Sequence, residues 1–197
     1  MSFTNLIEKR RTIYGLGNKL PILESEIEAI IEHAVKHTPS AFNSQSARVV
    51  VLFGDAHDKL WNLTMENLRK IVPSENFGPT EIRIGGFAGG AGTILFFEDQ
   101  SVVEYLVENF ALYAKNFPTW SEQSSGMLQY VVWASLAEVN VGASLQHYNE
   151  VIASDVTTAF DIPQTWKLIA QMPFGNIESL AGDKEFQSLE NRFKVLR

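Results

Sequence analysis

The sequence predicts an α/β or α+β chain built on one central sheet. Three short, almost wholly apolar runs read as buried strands: Ala47 to Phe53, Thr93 to Phe97 and Trp166 to Met172. Between them lie longer stretches with helical periodicity and helix-start signals, and these outnumber the strands. At 197 residues, 45% hydrophobic and 20% charged, the chain has the size and composition of a single globular domain, 1–197.

A short N-terminal helical segment ends at Arg10-Arg11-Thr12. Ser25-Glu26-Ile27-Glu28 is a capping-box pattern, and Ile27, Ile30, Ile31, Ala34 and Val35 follow the i, i+3, i+4 rhythm of one helix face. That helix should stop near His37, because Pro39 restricts the backbone of Thr38. After the strand ARVVVLF, Asp55 can cap a helix to about Lys70 with Leu60, Leu63, Leu68 and Ile71 facing inward. Five of the chain's 13 glycines crowd into Gly85 to Gly92, which reads as a tight loop feeding TILFF or as a close backbone approach to a ligand. Ser101 to Lys115 is a further helix. Thr119-Trp120-Ser121-Glu122 opens a long apolar one through Met127, Tyr130, Val131, Ala134, Leu136 and Ala137, which Gly142 can end. Pro173-Phe174-Gly175 should turn the chain out of the third strand into a polar tail with one more apolar run.

Several functions are excluded at once. Without cysteine there is no disulfide scaffold, thiol nucleophile, dithiol redox centre or Cys-ligated metal. A net charge of −7 argues against binding to nucleic-acid phosphate. No run reaches the ~18 apolar residues of a membrane span and the N-terminus carries no basic-then-apolar signal, so the expectation is a cytoplasmic protein with no membrane partner. The glycine run lacks dinucleotide spacing and precedes a strand where that motif would follow one; no Lys-Ser/Thr completes a phosphate loop. Gly142-Ala143-Ser144-Leu145-Gln146 misses a serine-nucleophile elbow by its last residue. His33 and His37 have zinc-pair spacing but no Glu base and no third ligand, so a solvated pair is favoured and no metal is expected. Asn62-Leu63-Thr64 is a glycosylation sequon only in form, since it falls inside a helix.

Two stretches exceed what scaffolding needs. In an acidic chain, Lys9, Arg10, Arg11 and Lys19 stand against Glu8 alone, and two guanidinium forks followed by the Thr12 hydroxyl suit a terminal phosphate. Solvated surface arginines are the plainer alternative. Pro39-Ser40-Ala41-Phe42-Asn43-Ser44-Gln45, entering the first buried strand, can offer donors and acceptors to a heterocycle, or can merely satisfy its own turn.

Arg-Arg-Thr near the start, an amphipathic helix, and then P-S-x-x-N-S-Q before an apolar strand resemble the nitroreductase family of FMN-dependent oxidoreductases. The likeness spans nearly the whole chain. Thr93 to Asp99 and Leu145 to Asn149 are further similar to a compact branch, the fatty-acid-repression-mutant-like nitroreductases of bacteria and fungi. The resemblance implies a central mixed sheet flanked by helices, in a homodimer with two FMN sites built from both chains. It places Arg10, Arg11 and Thr12 at the flavin phosphate and ribityl chain, and Ser40, Asn43 and Gln45 along the isoalloxazine and ribityl edge. Gln146 and His147 fall where the family passes a backbone segment near flavin N5; Arg83 aligns with a family lysine near the pyrimidine ring, and Lys184 with a basic residue at the phosphate. Two departures stand out: Tyr14 replaces a basic residue close to flavin N1, and Ser46-Ala47 replaces the Pro-Trp that often follows N-S-Q.

With no thiol, metal site or serine triad, redox chemistry would fall to the cofactor. The implied activity is NAD(P)H-dependent reduction of nitroaromatic, quinone or similar electron-poor acceptors by alternating hydride transfers, with no catalytic side chain assigned. A non-catalytic flavin- or small-ligand-binding regulator is the alternative.

Overall fold

A computed structural model describes residues 2–197. Its elements are α1 (Phe3–Lys9), β1 (Gly15–Gly17), α2 (Glu24–His37), β2 (Ala47–Phe53), α3 (Gly54–Ile71), α4 (Gly78–Ala88), β3 (Gly92–Asp99), α5 (Gln100–Asn109), α6 (Phe117–Glu138), β4 (Gly142–Ala143), α7 (Asn149–Ala159) and β5 (Trp166–Ser179). The sheet runs β1-β5-β3-β2, with β4 also pairing on β5. The expected α/β architecture of helices flanking a central sheet is present. Every pairing between described strands is antiparallel, where a mixed sheet is expected. Between β2 and β3 the reason is local: two helices intervene and bring the chain back to the end of the sheet it left, where Gly92 pairs with Phe53.

β3 is the centre. All eight of its residues are buried, and alternate side chains enter different cores. Ile94 and Phe96 pack with Ile27, Ile31, Leu128, Val132 and Leu136 of α2 and α6. Leu95 and Phe97 pack with Leu60, Trp61, Ile84, Phe87, Ile152 and Val156 of α3, α4 and α7. A strand buried on both faces loses its alternation of polar and apolar residues, which is why TILFF is one unbroken apolar run.

Several boundaries differ from expectation. Helix α2 starts two residues early, so Ser25 lies inside it; the Glu26 carboxylate accepts the Leu23 N–H at 2.9 Å. Pro118 sits in the first turn of α6, which puts Thr119 inside that helix also. Helix α3 begins at Gly54 with no side-chain cap from Asp55, and Ile71, expected to face inward, is exposed at the helix end. The helix expected over 101–115 stops at Asn109; Asp99 caps it by accepting the Ser101 N–H. Pro173-Phe174-Gly175 is not an exit turn, for β5 continues through it to Ser179. Pairing with β4 and β1 extends the strand there. The glycine run is split. Gly85 and Gly86 are helical, whereas a Cβ on Gly92 would meet the Phe174 ring at 2.6 Å. Among the described residues no helix is long and apolar enough to cross a membrane.

A buried polar network ties α3 and α4 to β3. The Trp61 indole N–H donates to Thr93 Oγ1 at 2.9 Å, and Thr93 also meets His57 Nδ1 at 2.9 Å. His57 Nε2 lies 3.1 Å from Ala88 O. Burial pushes the His57 imidazole below its ordinary range, so it is neutral, with Nε2 donating to Ala88 and Nδ1 accepting from Thr93. Thr93→Val keeps the shape but orphans two groups. It should lower unfolding stability by about 2–4 kcal/mol, measured by urea denaturation.

Candidate functional site

The segment after α1 is fixed by the Ile13 N–H, which donates to Ala143 O at 3.0 Å. This lays Arg10 over α6. Its guanidinium carbon is 4.3 Å from the Trp133 ring centroid and 5.9 Å from that of Tyr130. Stacking on aromatic faces holds the charge without neutralising it. Arg10 Nε is buried and has no hydrogen-bond partner among the described residues. Arg11 donates to Gly182 O at 2.7 Å, which draws in the tail. Arg10, Arg11, Thr12 and Lys184 thereby line one cleft of about 390 Å³, with Asp183 also in its wall.

Tyr14 joins this cleft to a cavity of about 760 Å³, lined also by Ile82, Arg83, Gly86, Phe87 and Gln146. Its lining is mostly apolar, with the Tyr14 and Phe87 rings in tilted contact, their centroids 6.4 Å apart. Gly86 lines this cavity from α4, and a Cβ there would meet nothing within 4 Å. Arg83 is exposed at the cavity and near enough to Tyr148 to favour its phenolate, although burial dominates and holds the Tyr148 hydroxyl above its ordinary range. Both backbone groups of Gln146 are bonded to Gln171, at 2.7 and 2.9 Å, so only its side chain is available; His147 is exposed beside it.

Ser40, Asn43 and Gln45 lie elsewhere. Ser40 closes the loop by accepting the Asn43 N–H on its carbonyl at 3.0 Å and the Gln45 N–H on its hydroxyl at 2.9 Å. Phe42, Asn43 and Gln45 adopt left-handed φ of 58°, 51° and 49°. The Phe42 ring packs on Phe110, Tyr113, Phe117 and Trp120, at centroid distances of 5.2–6.1 Å. The side chains of Asn43 and Gln45 are exposed. Ser40 and Gln45 line a separate cavity of about 360 Å³ with Lys36, Arg48, Ser124 and Trp166, and it shares no wall residue with the first two.

One chain therefore brings Arg10, Arg11, Thr12 and Lys184 together and sets Arg83 and Gln146 next to them, but it does not bring Ser40, Asn43 and Gln45 to the same place. Sequence reasoning missed Trp133 and Phe87, whose helical spacing resembles that of any core aromatic. It also missed Glu98. This carboxyl is 1% exposed, accepts a 2.6 Å hydrogen bond from Ser46 Oγ, and has no partner for Oε1 among the described residues. Burial pushes it up to about 7, against the Ser46 hydrogen bond and the Arg48 charge. For the neighbouring Asp99, burial is outweighed by hydrogen bonds from Ser101 and by Arg48, which hold its carboxyl below the usual range.

An arginine-lined cleft that shares Tyr14 with a larger cavity has donors suited to an anionic group beside aromatic surface. The nitroreductase family profile matches residues 7–176. Nitroreductase FRM2 of Saccharomyces cerevisiae is 31% identical over 94% of this chain and 93% of its own length. Structures of nitroreductase CinD from Lactococcus lactis, in complex with chloramphenicol and with 4-nitrophenol, superpose with TM-scores of 0.92 and 0.91 at 45% and 46% identity, covering 100% of each chain. A nitroreductase-like protein of Desulfovibrio desulfuricans in complex with FMN shares the fold, with a TM-score of 0.72 at 16% identity over 98% of this chain and 96% of that one. The chain belongs to the nitroreductase family.

Because the folded state raises the Glu98 pKa, it favours the protonated carboxyl. The stability that Glu98 contributes is complete below its unfolded pKa and is lost as pH rises through about 7. Between about pH 5 and pH 8 the wild type should lose of the order of 2 kcal/mol relative to Glu98→Gln, read from paired denaturation curves.

Proposed function

We propose that the protein is an FMN-dependent oxidoreductase that uses NADH or NADPH to reduce nitroaromatic, quinone or similar electron-poor acceptors, and that it works as a homodimer. The observation that carries this reading is the convergence of Arg10, Arg11 and Lys184 on one cleft, with a buried guanidinium N–H lacking a partner, beside a larger cavity lined by Tyr14 and Phe87. A single terminal phosphate fits that donor set, and the adjoining cavity offers aromatic surface to a planar ring. Bound there, FMN would supply the acceptance and return of a hydride.

The chain's own residues bind and orient. Arg10, Arg11, Thr12 and Lys184 would hold the phosphate with charge-assisted hydrogen bonds. Arg83 would supply, from α4, the positive charge that Tyr14 does not offer. Gln146 can reach a ligand only through its side-chain amide. Ser40, Asn43 and Gln45 would come from the second copy, because their loop opens on a different cavity. A second copy would also cover exposed apolar side chains: Phe42 beside that loop, and Phe186, Leu189, Phe193 and Leu196 in the tail. The CinD complexes with chloramphenicol and 4-nitrophenol support small aromatic acceptors. Donor and acceptor would use the same cavity in turn, which gives ping-pong kinetics, and protons would come from solvent. The setting expected is cytoplasmic.

The purified protein should be yellow, carry about one FMN per chain and run at twice its 22.1 kDa mass. A protein left colourless by FMN reconstitution would refute the cofactor, and the mass of one chain by light scattering would refute the dimer. Arg10→Ala should weaken FMN binding by roughly 10–150-fold, the loss of about 1.5–3 kcal/mol expected for one charge-assisted contact. Initial-rate plots against NAD(P)H at several acceptor concentrations should be parallel. His147→Ala should lower kcat/KM by less than the ~10²–10⁴-fold that follows removal of a general acid or base.

A further inference from the structure

The loop from Ser40 to Gln45 holds three non-glycine residues in left-handed conformations, each of which costs energy that its surroundings must supply. Its N-terminal side is closed by its own hydrogen bonds. Its C-terminal side is fastened to the end of the sheet by three contacts. Ser46 Oγ donates to the buried Glu98 carboxylate at 2.6 Å, and Ser46 O accepts the Asp99 N–H at 2.9 Å. Arg48 donates to Gln45 O at 2.7 Å while its other nitrogen pairs with Asp99 at 3.0 Å. Ser46 is the residue that departs from the Pro-Trp continuation; proline would keep the carbonyl that accepts the Asp99 N–H but has no hydroxyl to donate to Glu98.

We propose that Glu98, Asp99 and Arg48 form a latch at the end of β3 that positions the Ser40–Gln45 loop for the cofactor. The proposal rests on the flavin reading above. These are positioning residues, since they act through Ser46 and Gln45 on the side chains that would meet the ligand. Glu98 Oε1 is buried without a partner among the described residues, so ionisation in the closed loop would put charge on an oxygen that no donor meets, whereas an open loop would let water reach it. The closed loop therefore favours neutral Glu98, in line with its raised pKa. The charges around it are Arg48 on β2, Asp99 on β3, Glu122 on α6, and Lys167 on β5, which pairs with Glu122 at 3.0 Å. Lys36 on α2 lines the cavity that Gln45 and Arg48 also line. Among these, Glu98 is the group that burial brings to titrate near neutrality.

By linkage, raising the pH through about 7 should open the latch and weaken a ligand that needs the closed loop. The test is FMN titration, by quenching of flavin fluorescence, of wild type, Glu98→Gln and Ser46→Ala. Ionisation of the FMN phosphate acts alike on all three, so the ratio of wild-type to Glu98→Gln Kd isolates Glu98. That ratio should rise about tenfold between about pH 6 and pH 8.5, well within the limit of tenfold per pH unit for one coupled proton. Ser46→Ala, having lost a donor to the charged form, should show its pH transition displaced upward, which keeps the test decisive if Glu98→Gln does not fold. A ratio that stays constant, or falls, with the Ser46→Ala profile superposing on wild type, overturns the latch while leaving the flavin reading intact. Failure of all three proteins to bind FMN overturns the flavin reading, and the latch with it.

Discussion

Burial of β3 on both faces is the constraint on which the rest of the molecule depends. Its alternate side chains divide the interior into one core under α2 and α6 and another under α3, α4 and α7. With no face exposed, the strand admits no register slip, because moving it by one residue would exchange two differently shaped sets of side chains. Its two ends then become fixed points. At Gly92 the strand meets the ring of Phe174 and the end of the glycine run, and the Thr93 network holds α3 and α4 against it. At Glu98 and Asp99 it fastens the Ser40–Gln45 loop and caps α5.

Those two ends serve the two parts of the proposed binding site. The α4 side, with Arg83 and Phe87, walls the cavity that continues through Tyr14 into the arginine cleft. The loop side lies on a different cavity. On the proposed reading one chain would carry two incomplete halves, and a two-fold axis would be the economical way to face one half with the other, since an isologous interface presents both halves twice. The same view accounts for a tail rich in exposed apolar side chains and for an aromatic cluster around Phe42 that is packed on one side only.

Much of this was legible in the residues, and what was not had physical causes. TILFF and ARVVVLF declared themselves as strands because burial leaves little freedom of composition. The long apolar helix was visible, but its start was misplaced: Thr119 to Glu122 has the letters of a capping box, and Pro118, tolerated in a first turn, carried the helix further back. Pro173 misled in the opposite direction. It reads as a strand terminator, yet β5 runs through it: Pro173 pairs with Thr93 on one edge, and on the other its carbonyl accepts the Ser144 N–H at 3.2 Å. At the site, Arg10-Arg11-Thr12 and the Ser40–Gln45 loop could be picked out because charge and polar turns are conspicuous in sequence. Trp133, on which Arg10 stacks, could not, because contacts between distant helices and loops leave no spacing signal. Glu98 was hidden inside a strand motif, although a carboxylate closing a wholly apolar run was a signal that could have been followed.

The central claim is that each binding site needs both copies: the arginine cleft of one and the polar loop of the other. Co-expressed Arg10→Ala and Asn43→Ala chains test it most directly. Each variant alone disables one half of every site, while a mixed dimer contains one site with both halves intact. The mixture should bind FMN with wild-type affinity at a fraction of its sites, well above either variant alone. Flavin binding in the mixture no greater than the average of the two parents would contradict a shared site and place every contact within a single chain.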